Sequence, residues 1–308
     1  MAKIKLGIIG LSEGNGHPYS FSAIINGYDP VAMKASGWTG IFDYLEEKDE
    51  SDFLLGIAEV THIWTQDYNE SIKIARASKI KTICNEMDEM IDVVDAVIIA
   101  RDDYEHHYEM AKPFLEAGLK VFIDKPLSLN KNELLFFKSY LKNGQLMSCS
   151  GLRYAKELDA TRTWLREEKN IKLIRASVVL TWEKYGIHML DALFGMIDFN
   201  VTSVIAIEGK HKSVILKTES NALIHIDALG QTAKTFEMSI WSDVRREAIE
   251  IKDNFTAFKR AMFYFIKMIK SGKPQIDAEL TLSLMKVLIA ANLSIEENRE
   301  VFINEIII

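Results

Sequence analysis

The chain has 308 residues, of which 48% are apolar and 26% charged, and this ordinary balance excludes long disordered stretches. The formal net charge is −7 at pH 7, and no lysine- or arginine-rich run is present, which argues against a nucleic-acid partner. The two cysteines, Cys84 and Cys149, are far apart, with no CxxC pair and no histidine cluster. We therefore expect neither a disulfide framework nor a metal site. We also expect the protein to reside in a reducing environment.

No apolar run reaches the roughly 18 residues of a membrane span, and the N-terminal run is too short for a secretory signal. We therefore expect a cytoplasmic protein without a membrane partner. The length suits two domains of about 150 residues each.

The first half alternates short apolar runs with helical patterns, which predicts a Rossmann domain with a doubly wound parallel sheet over residues 1–150. A strand at residues 4–9 leads through a glycine-rich turn into a helix around residues 20–26. Further strands are predicted at residues 60–64, 93–100, 119–123 and 146–150, with helices at 69–78, 104–117 and 130–142. The stretch 28–55 is longer than a usual connection and either covers the ligand edge of the sheet or contacts a partner.

The second half predicts an α+β domain over residues 151–308, for substrate binding or oligomerisation. After a helix at 156–168, β-like runs follow one another through short turns, which favours antiparallel pairing in an open sheet of about six strands. The runs are residues 172–182, 201–208, 213–217, 222–228, 235–241 and 248–251, and helices at 256–271 and 278–298 end the chain.

The glycine-rich turn between the first strand and the first helix is the place where backbone N–H groups and a helix dipole can receive a pyrophosphate. The turn departs from the standard GxGxxG pattern, because a serine takes the second glycine position and the loop is longer. A purely structural turn is the alternative, but the strand before it and the βαβ rhythm after it favour a nucleotide site. The predicted cofactor-binding residues of this loop are Gly10, Ser12, Gly14, Asn15, Gly16 and His17.

The end of the second strand usually presents an acid to the ribose hydroxyls of NAD, or an arginine to the 2′-phosphate of NADP. This chain offers Thr65, Gln66 and Asp67 there. Asp67 is equally explained as the cap of the next helix, so the choice between NAD and NADP stays open.

Two more loops follow strands at the same predicted edge, which rims the ligand crevice of open α/β sheets. Lys125 precedes a proline and is therefore held in extended geometry, so it could act as a positioned cation, although a lone lysine is usually a solvated surface charge. The candidate cofactor-binding residues of these loops are Ala100, Arg101, Asp102, His106, Asp124, Lys125 and Pro126.

Together with the glycine loop, residues 100–106, 121–126 and 186–191 resemble the signature set of the Gfo/Idh/MocA family of oxidoreductases. The resemblance implies a Rossmann domain joined to an open antiparallel sheet, and NAD(P)-dependent oxidation or reduction of sugars, inositols and related polyols. It implies Lys125 as the catalytic-site lysine, with Asp124 in place of the family's glutamate. It also implies that His188 reaches the substrate hydroxyl, with Asp191 one turn further on.

Two departures from the family pattern bear on activity. Lys184 stands where the family commonly has an aspartate, so either His188 is the sole base, a neutral Lys184 serves as base, or hydride transfer is weakened or lost. Residues 101–103 replace a common threonine-proline-asparagine triplet, and Arg101 either pairs with a substrate anion or is neutralised by a neighbouring aspartate. The remaining candidate substrate residues are Arg153, Tyr154, Trp182 and Tyr185.

The leading hypothesis is an NAD(P)-dependent dehydrogenase or reductase that acts on a secondary alcohol or ketone of a sugar-like or polyol-like small molecule. One alternative is a nucleotide-binding sensor that lost turnover because of Lys184. Another is an enzyme that recycles its bound cofactor within one isomerisation or elimination. The resemblance also implies a homo-oligomer, a dimer or tetramer, through the open sheet face.

Overall fold

The computed structural model describes residues 3–168, 170–197 and 200–308, and the chain divides into two compact units. The first unit consists of Met1–Ser128, Leu135–Cys149 and Phe258–Ala278. The second consists of Leu129–Leu134, Ser150–Ala257 and Glu279–Ile308. The chain therefore returns to the first unit after residue 257, which no sequence pattern indicated.

The first unit contains a six-stranded parallel sheet in the order β3-β2-β1-β4-β5-β6, which confirms the predicted doubly wound Rossmann topology. Its central strands are buried on both faces, as their unbroken apolar runs require. The strands are β1 Ile4–Ile9, β2 Ala58–Trp64, β3 Thr82–Ile83, β4 Ala96–Ile99, β5 Lys120–Ile123 and β6 Leu146–Ser148.

Ten α-helices lie in the described part of the chain, and most match a predicted helical pattern to within a few residues. They are α1 His17–Asn26, α2 Pro30–Ala35, α3 Thr39–Glu46, α4 Tyr68–Ala77, α5 His107–Glu116, α6 Lys131–Lys142, α7 Asp159–Leu165, α8 Ile187–Phe194, α9 Asn254–Ser271 and α10 Ala278–Glu297.

The long connection after α1 folds back along that helix. Trp38 and Ile41 lie against Gly16, where a Cβ atom would come within 2.5 Å of Ile41 and 2.7 Å of Trp38. Tyr44 donates a hydrogen bond to Ser20 of α1 at 2.5 Å. Of the two alternatives for residues 28–55, this packing supports cover over the ligand edge, because Gly16 lies at the start of α1.

Aromatic packing explains why residues 258–278 belong to the first unit. The ring of Phe258 in α9 lies 5.4 Å from Phe21 of α1, and Phe265 lies 5.6 Å from Phe122 of β5. These contacts cover one face of the parallel sheet with the apolar stripe of α9.

The second unit contains a seven-stranded sheet in the order β12-β11-β7-β10-β9-β8-β13. The sheet is mixed and mostly antiparallel, as predicted, but β7 and β10 pair in parallel, which the long connection between them permits. The seventh strand and α8 were not predicted. The strands are β7 Ile171–Val178, β8 Val201–Glu208, β9 Lys212–Thr218, β10 Leu223–Ala228, β11 Phe236–Ser242, β12 Arg246–Glu250 and β13 Val301–Phe302.

Among the residues that the structure describes, one helix, α10, is long and apolar enough to cross a membrane by length and composition alone. Over half of its most apolar window, 56%, is buried inside the protein, as in the core helix of a globular fold. It is therefore weak evidence for a membrane span.

Candidate functional site

The glycine loop between β1 and α1 turns sharply at two glycines with positive φ angles. Gly10 has φ +80° and Gly14 has φ +75°, a conformation that side chains with a Cβ rarely adopt. The N–H of Asn15 donates to the carbonyl of Ser12 at 3.2 Å and closes a tight turn. The loop is therefore a defined backbone structure at the carboxyl edge of β1.

Arg101, which follows β4, packs over the first glycine of this loop. A Cβ atom on Gly10 would lie 2.4 Å from the Arg101 Cδ, so glycine is needed at this position. The guanidinium of Arg101 is buried and donates to both carboxylate oxygens of Asp103, with the Nε bond at 2.7 Å. A neighbouring aspartate thus neutralises Arg101, as one of the two sequence alternatives expected.

Lys125 is buried and only 2% exposed, so it is not a solvated surface lysine. Its Nζ lies 3.4 Å from an oxygen of Asp102, whose other oxygen accepts a 2.8 Å hydrogen bond from the hydroxyl of Ser12. The peptide bond between Lys125 and Pro126 is cis. Asp102 therefore joins the lysine after β5 to the glycine loop after β1.

Asp124 makes a second connection between the same two loops. Its carboxylate accepts from Asn15 Nδ2 at 3.0 Å and lies 2.5 Å from His17 Nδ1. Burial alone would raise the pKa of Asp124, but the charge and hydrogen bond of His17, the charge of Lys125 and the Asn15 amide together hold it well below its usual range. Asp124 is therefore an ionised carboxylate at the ligand edge.

The end of β2 presents no unengaged acid. The carboxylate of Asp67 accepts from the N–H of Asn69 at 2.9 Å and caps α4, and the hydroxyl of Thr65 donates to the Asp67 carbonyl at 2.6 Å. The amide of Gln66 accepts from Leu11 N at 3.1 Å and donates to Leu11 O at 2.5 Å. Capping thus accounts for Asp67, and Gln66 supports the glycine loop.

The histidine that matters after β4 is His107, which the sequence reasoning missed. His106 is exposed, and its side chain does not cap α5, although its ring lies 3.8 Å from Asp103. His107 is fully buried, with one ring nitrogen 3.0 Å from the carbonyl of Arg101 and the other 3.0 Å from the carbonyl of Leu127. It joins the loops after β4 and β5, and two adjacent histidines at a helix start were the only sequence signal.

The pyrophosphate side of a dinucleotide fits this edge of the sheet. Gly14 has open space where a Cβ would stand, so the backbone can approach an anion there. At the start of α1, the N–H of His17 donates to Asn15 Oδ1 at 2.9 Å, and Pro18 has no N–H. Ala100 continues the edge after β4, where its buried N–H donates to Ile9 O at 2.9 Å. No group of residues that could hold a metal ion occurs in the described ranges.

A second cluster of predicted site residues lies in the other unit, around His188 of α8. The hydroxyl of Ser150 lies 2.6 Å from His188 Nδ1, and the N–H of Ser150 donates to Asp191 at 2.5 Å. Arg153 donates to the other Asp191 oxygen at 2.6 Å. Burial raises the pKa of Asp191 despite the opposing charge and hydrogen bond of Arg153. Ser150 was not among the predicted site residues.

A π-helical turn at Trp182–Gly186 leads into α8, and such turns often occur at functional sites. Trp182 is buried against Gly186, where a Cβ would come within 2.4 Å of the indole ring. The ring of Tyr185 lies edge-on to His188 at 5.2 Å. Lys184 is half-buried in this turn, and Tyr154 is half-buried in the 3₁₀ turn after Ser150.

Residues 37–146 match the sequence model of GFO_IDH_MocA, described as an oxidoreductase family with an NAD-binding Rossmann fold. The matched part includes the ends of β2, β4 and β5 with Thr65, Arg101 and Lys125, and it begins after the glycine loop. No curated protein sequence matches the chain closely enough to count as a relative.

Solved structures share the fold over nearly the whole chain. A probable dehydrogenase from Thermotoga maritima is 17% identical with a TM-score of 0.75, covering 99% of this chain and all (100%) of that one. Myo-inositol 2-dehydrogenase from Lactobacillus plantarum is 15% identical with a TM-score of 0.78, covering 98% and 99%. Scyllo-inositol dehydrogenase from Lactobacillus casei, solved with NAD(H) and scyllo-inositol, is 15% identical with a TM-score of 0.76, covering 98% and 100%.

Proposed function

Because the chain belongs, through its NAD-binding Rossmann domain, to the Gfo/Idh/MocA family of oxidoreductases, we propose that it is an NAD-dependent dehydrogenase or reductase of a sugar-like or polyol-like small molecule. The reacting group would be a secondary alcohol or its ketone. This class of substrate is proposed by analogy with the inositol dehydrogenases that share the fold. Their sequences are about 15% identical to this chain, so the likeness itself shows only the fold.

The observation that carries the proposal is the burial of Lys125 beside Asp102. A lysine ammonium, 2% exposed and 3.4 Å from a carboxylate, loses the hydration that a surface lysine keeps. Such a group suits hydrogen bonding to a substrate oxygen and movement of its proton. The nicotinamide, when bound, supplies or accepts the hydride.

We assign the cofactor to NAD over NADP from the residues at the end of β2. Residues 64–67 are Trp-Thr-Gln-Asp, which include no arginine or lysine to pair with a 2′-phosphate. Asp67 is exposed and would repel that phosphate. The backbone of the glycine loop around Gly14 is the proposed contact for the pyrophosphate.

The test is a fluorescence titration of the protein with NADH and with NADPH, followed by nicotinamide absorbance in the presence of a panel of inositols, sugars and their ketones. We expect NADH to bind at least tenfold tighter than NADPH, about 1.4 kcal/mol, and one substrate to change the absorbance. Equal affinity for the two cofactors contradicts the NAD assignment. Absence of binding contradicts the proposal as a whole.

A second candidate function rests on Lys184, which stands where the resemblance places an aspartate. In that case the protein binds NAD without net turnover, as a sensor or as an enzyme that recycles its cofactor. Binding with no absorbance change across the panel would favour this function. Lys184→Asp would then be the variant to assay for recovered turnover, and product analysis would detect an isomerisation or elimination.

We further propose that the protein is a cytoplasmic homo-oligomer. Large apolar side chains stand exposed on strands of the mixed sheet, with Ile207 at 58% and Leu223 at 38%. Light scattering of the purified protein should give a dimer or tetramer. A single species of 35.1 kDa would exclude this proposal.

A further inference from the structure

The side chain of Ser150 has few contacts, and each can be given a direction. Ser150 is fully buried, and within the described residues its hydroxyl oxygen has two contacts. The N–H of Leu152 donates to it at 3.1 Å, and the Nδ1 atom of His188 lies 2.6 Å away. The first contact is fixed in polarity, because a backbone N–H only donates.

The direction of the second contact follows from the serine proton. If Nδ1 donated to the hydroxyl, the oxygen would accept two hydrogen bonds, and the buried O–H would have no acceptor among its described contacts. A buried donor without an acceptor costs about 1–3 kcal/mol. If the hydroxyl donates to Nδ1, every polar atom of the Ser150 side chain is satisfied. The second arrangement is therefore the stable one for neutral His188.

We infer that Ser150 is a positioning residue that fixes the proton of neutral His188 on Nε2. A neutral imidazole carries one proton, so when Nδ1 accepts, Nε2 must donate. His188 then presents an N–H to whatever meets its Nε2 edge. The imidazolium form also donates from Nε2, so the polarity of this atom is the same in both protonation states.

The rest of the cluster holds Ser150 in place through atoms other than its hydroxyl. Its N–H donates to Asp191, and Asp191 accepts from Arg153. The rings of Tyr185 and Phe236 lie edge-on to the imidazole at 5.2 Å and 5.7 Å and restrict its rotation. The serine hydroxyl can therefore be removed while the surroundings of the histidine stay intact.

This polarity selects a class of ligand, a step that rests on the proposed function. A carbonyl oxygen only accepts hydrogen bonds, so a fixed Nε2–H is matched to the ketone form of the substrate. An alcohol can accept from Nε2–H but cannot donate its proton to it. The second unit is thus built to hold the carbonyl, and the alcohol proton, if removed, must leave through another group.

The tautomer can be measured without any ligand. Long-range ¹H–¹⁵N spectra of histidine-labelled protein, recorded well above a histidine pKa of about 6.5, distinguish a protonated from an unprotonated ring nitrogen. The chain has seven histidines, and His188→Gln identifies the relevant signals. We expect protonated Nε2 and unprotonated Nδ1. A wild-type spectrum with protonated Nδ1 would overturn the inference, whether or not the protein binds NAD.

Three variants separate positioning from a general structural role. Ser150→Ala should give His188 a mixture of both tautomers, and Ser150→Thr, which keeps a hydroxyl, should restore the wild-type spectrum. Ser148→Ala, a buried serine two residues earlier, is the matched control and should leave the His188 signals unchanged. An unchanged spectrum in Ser150→Ala would show that the hydroxyl does not fix the proton.

The ligand class is tested by dead-end binding. Once a substrate is known, its ketone is titrated into the protein saturated with NAD⁺, and its alcohol into the protein saturated with NADH. In Ser150→Ala we expect ketone binding to weaken in proportion to the lost fraction of the Nε2–H tautomer, about twofold for an even mixture, and alcohol binding, which suits either tautomer, to stay unchanged. Equal losses would refute the preference for the carbonyl, and failure of NAD itself to bind would refute the proposed function while leaving the tautomer result standing.

Discussion

Asp124 and His17 form a short contact of 2.5 Å between Oδ2 and Nδ1, which joins the start of α1 to the loop after β5. The same carboxylate also accepts from Asn15 in the glycine loop. One buried carboxylate therefore holds together two segments that are more than a hundred residues apart in sequence.

We predict that Asp124→Asn lowers the free energy of unfolding near neutral pH by roughly 3 kcal/mol, because His17 and Lys125 lose their shared carboxylate. The pKa of Asp124 lies below its ordinary value, so its stabilisation is complete above the unfolded pKa of about 3.9 and disappears as pH falls through the folded pKa. Urea unfolding near neutral pH and at about pH 3 should show the gap between wild type and variant narrowing in acid. Asp88→Asn, at an exposed acid, is the control, and a gap that does not change with pH contradicts the assignment.

Lys125→Ala should abolish turnover and leave NADH affinity within about tenfold of wild type, or about 1.4 kcal/mol, because the lysine is proposed to meet the substrate and not the pyrophosphate. Steady-state kinetics and fluorescence titration measure the two quantities separately. Lys120→Ala, on the same strand, should behave as wild type. Normal rates in Lys125→Ala would remove this residue from the mechanism.

Gly16→Ala should destabilise the protein by about 1–3 kcal/mol, because the added methyl meets Trp38 and Ile41. Its φ is negative, so the cost arises from packing and not from backbone strain. In a background where both Trp38 and Ile41 are alanine, the same substitution should cost much less. A mutant cycle by urea unfolding checks this, and an additive result would mean that the contact between residues 28–55 and α1 is not maintained in solution.

Arg153→Ala should cost about 3–5 kcal/mol of stability, because it leaves the Asp191 carboxylate buried without its guanidinium. Thermal and urea unfolding measure the loss. Arg166→Ala, at an exposed position, should cost less than about 0.5 kcal/mol. If the two variants lose the same stability, the ion pair with Asp191 does not stabilise the second unit.

The sequence predicted the Rossmann sheet because each buried strand is an apolar run bounded by turn residues. It did not predict α8, because that segment is short and apolar at almost every position, which leaves no helical alternation of apolar and polar residues. The two-residue strands β3 and β13 are too short for any periodicity. The sequence also could not show that the residues of α9 belong to two different units. The apolar stripe of this helix predicts that one face is buried, but it does not indicate which surface that face packs against.

The positions of site residues were predictable where they follow directly after a strand. The hydrogen-bond partners of their side chains were not predictable, because those partners come from distant parts of the sequence. Lys125 was placed correctly at the end of β5, but its burial depends on Asp102. The roles of His107 and Ser150 come from contacts across 20 and 38 residues of sequence, and neither residue type signals such a contact. The substrate roles assigned to Tyr154, Trp182 and Tyr185 stay predictions.

Gln66 extends the hydrogen bonding between β1 and β2 beyond the ends of the two strands. Its side-chain amide accepts one hydrogen bond from the N–H of Leu11 and donates one to the carbonyl of Leu11, as the main chain of a paired strand would. This residue stands where a dinucleotide enzyme normally discriminates between cofactors. A change there to alter cofactor choice would also release the glycine loop from its neighbour. The position of the glycine loop and the residue at position 66 are therefore linked in this chain, and a substitution of Gln66 would require another residue to hydrogen-bond Leu11.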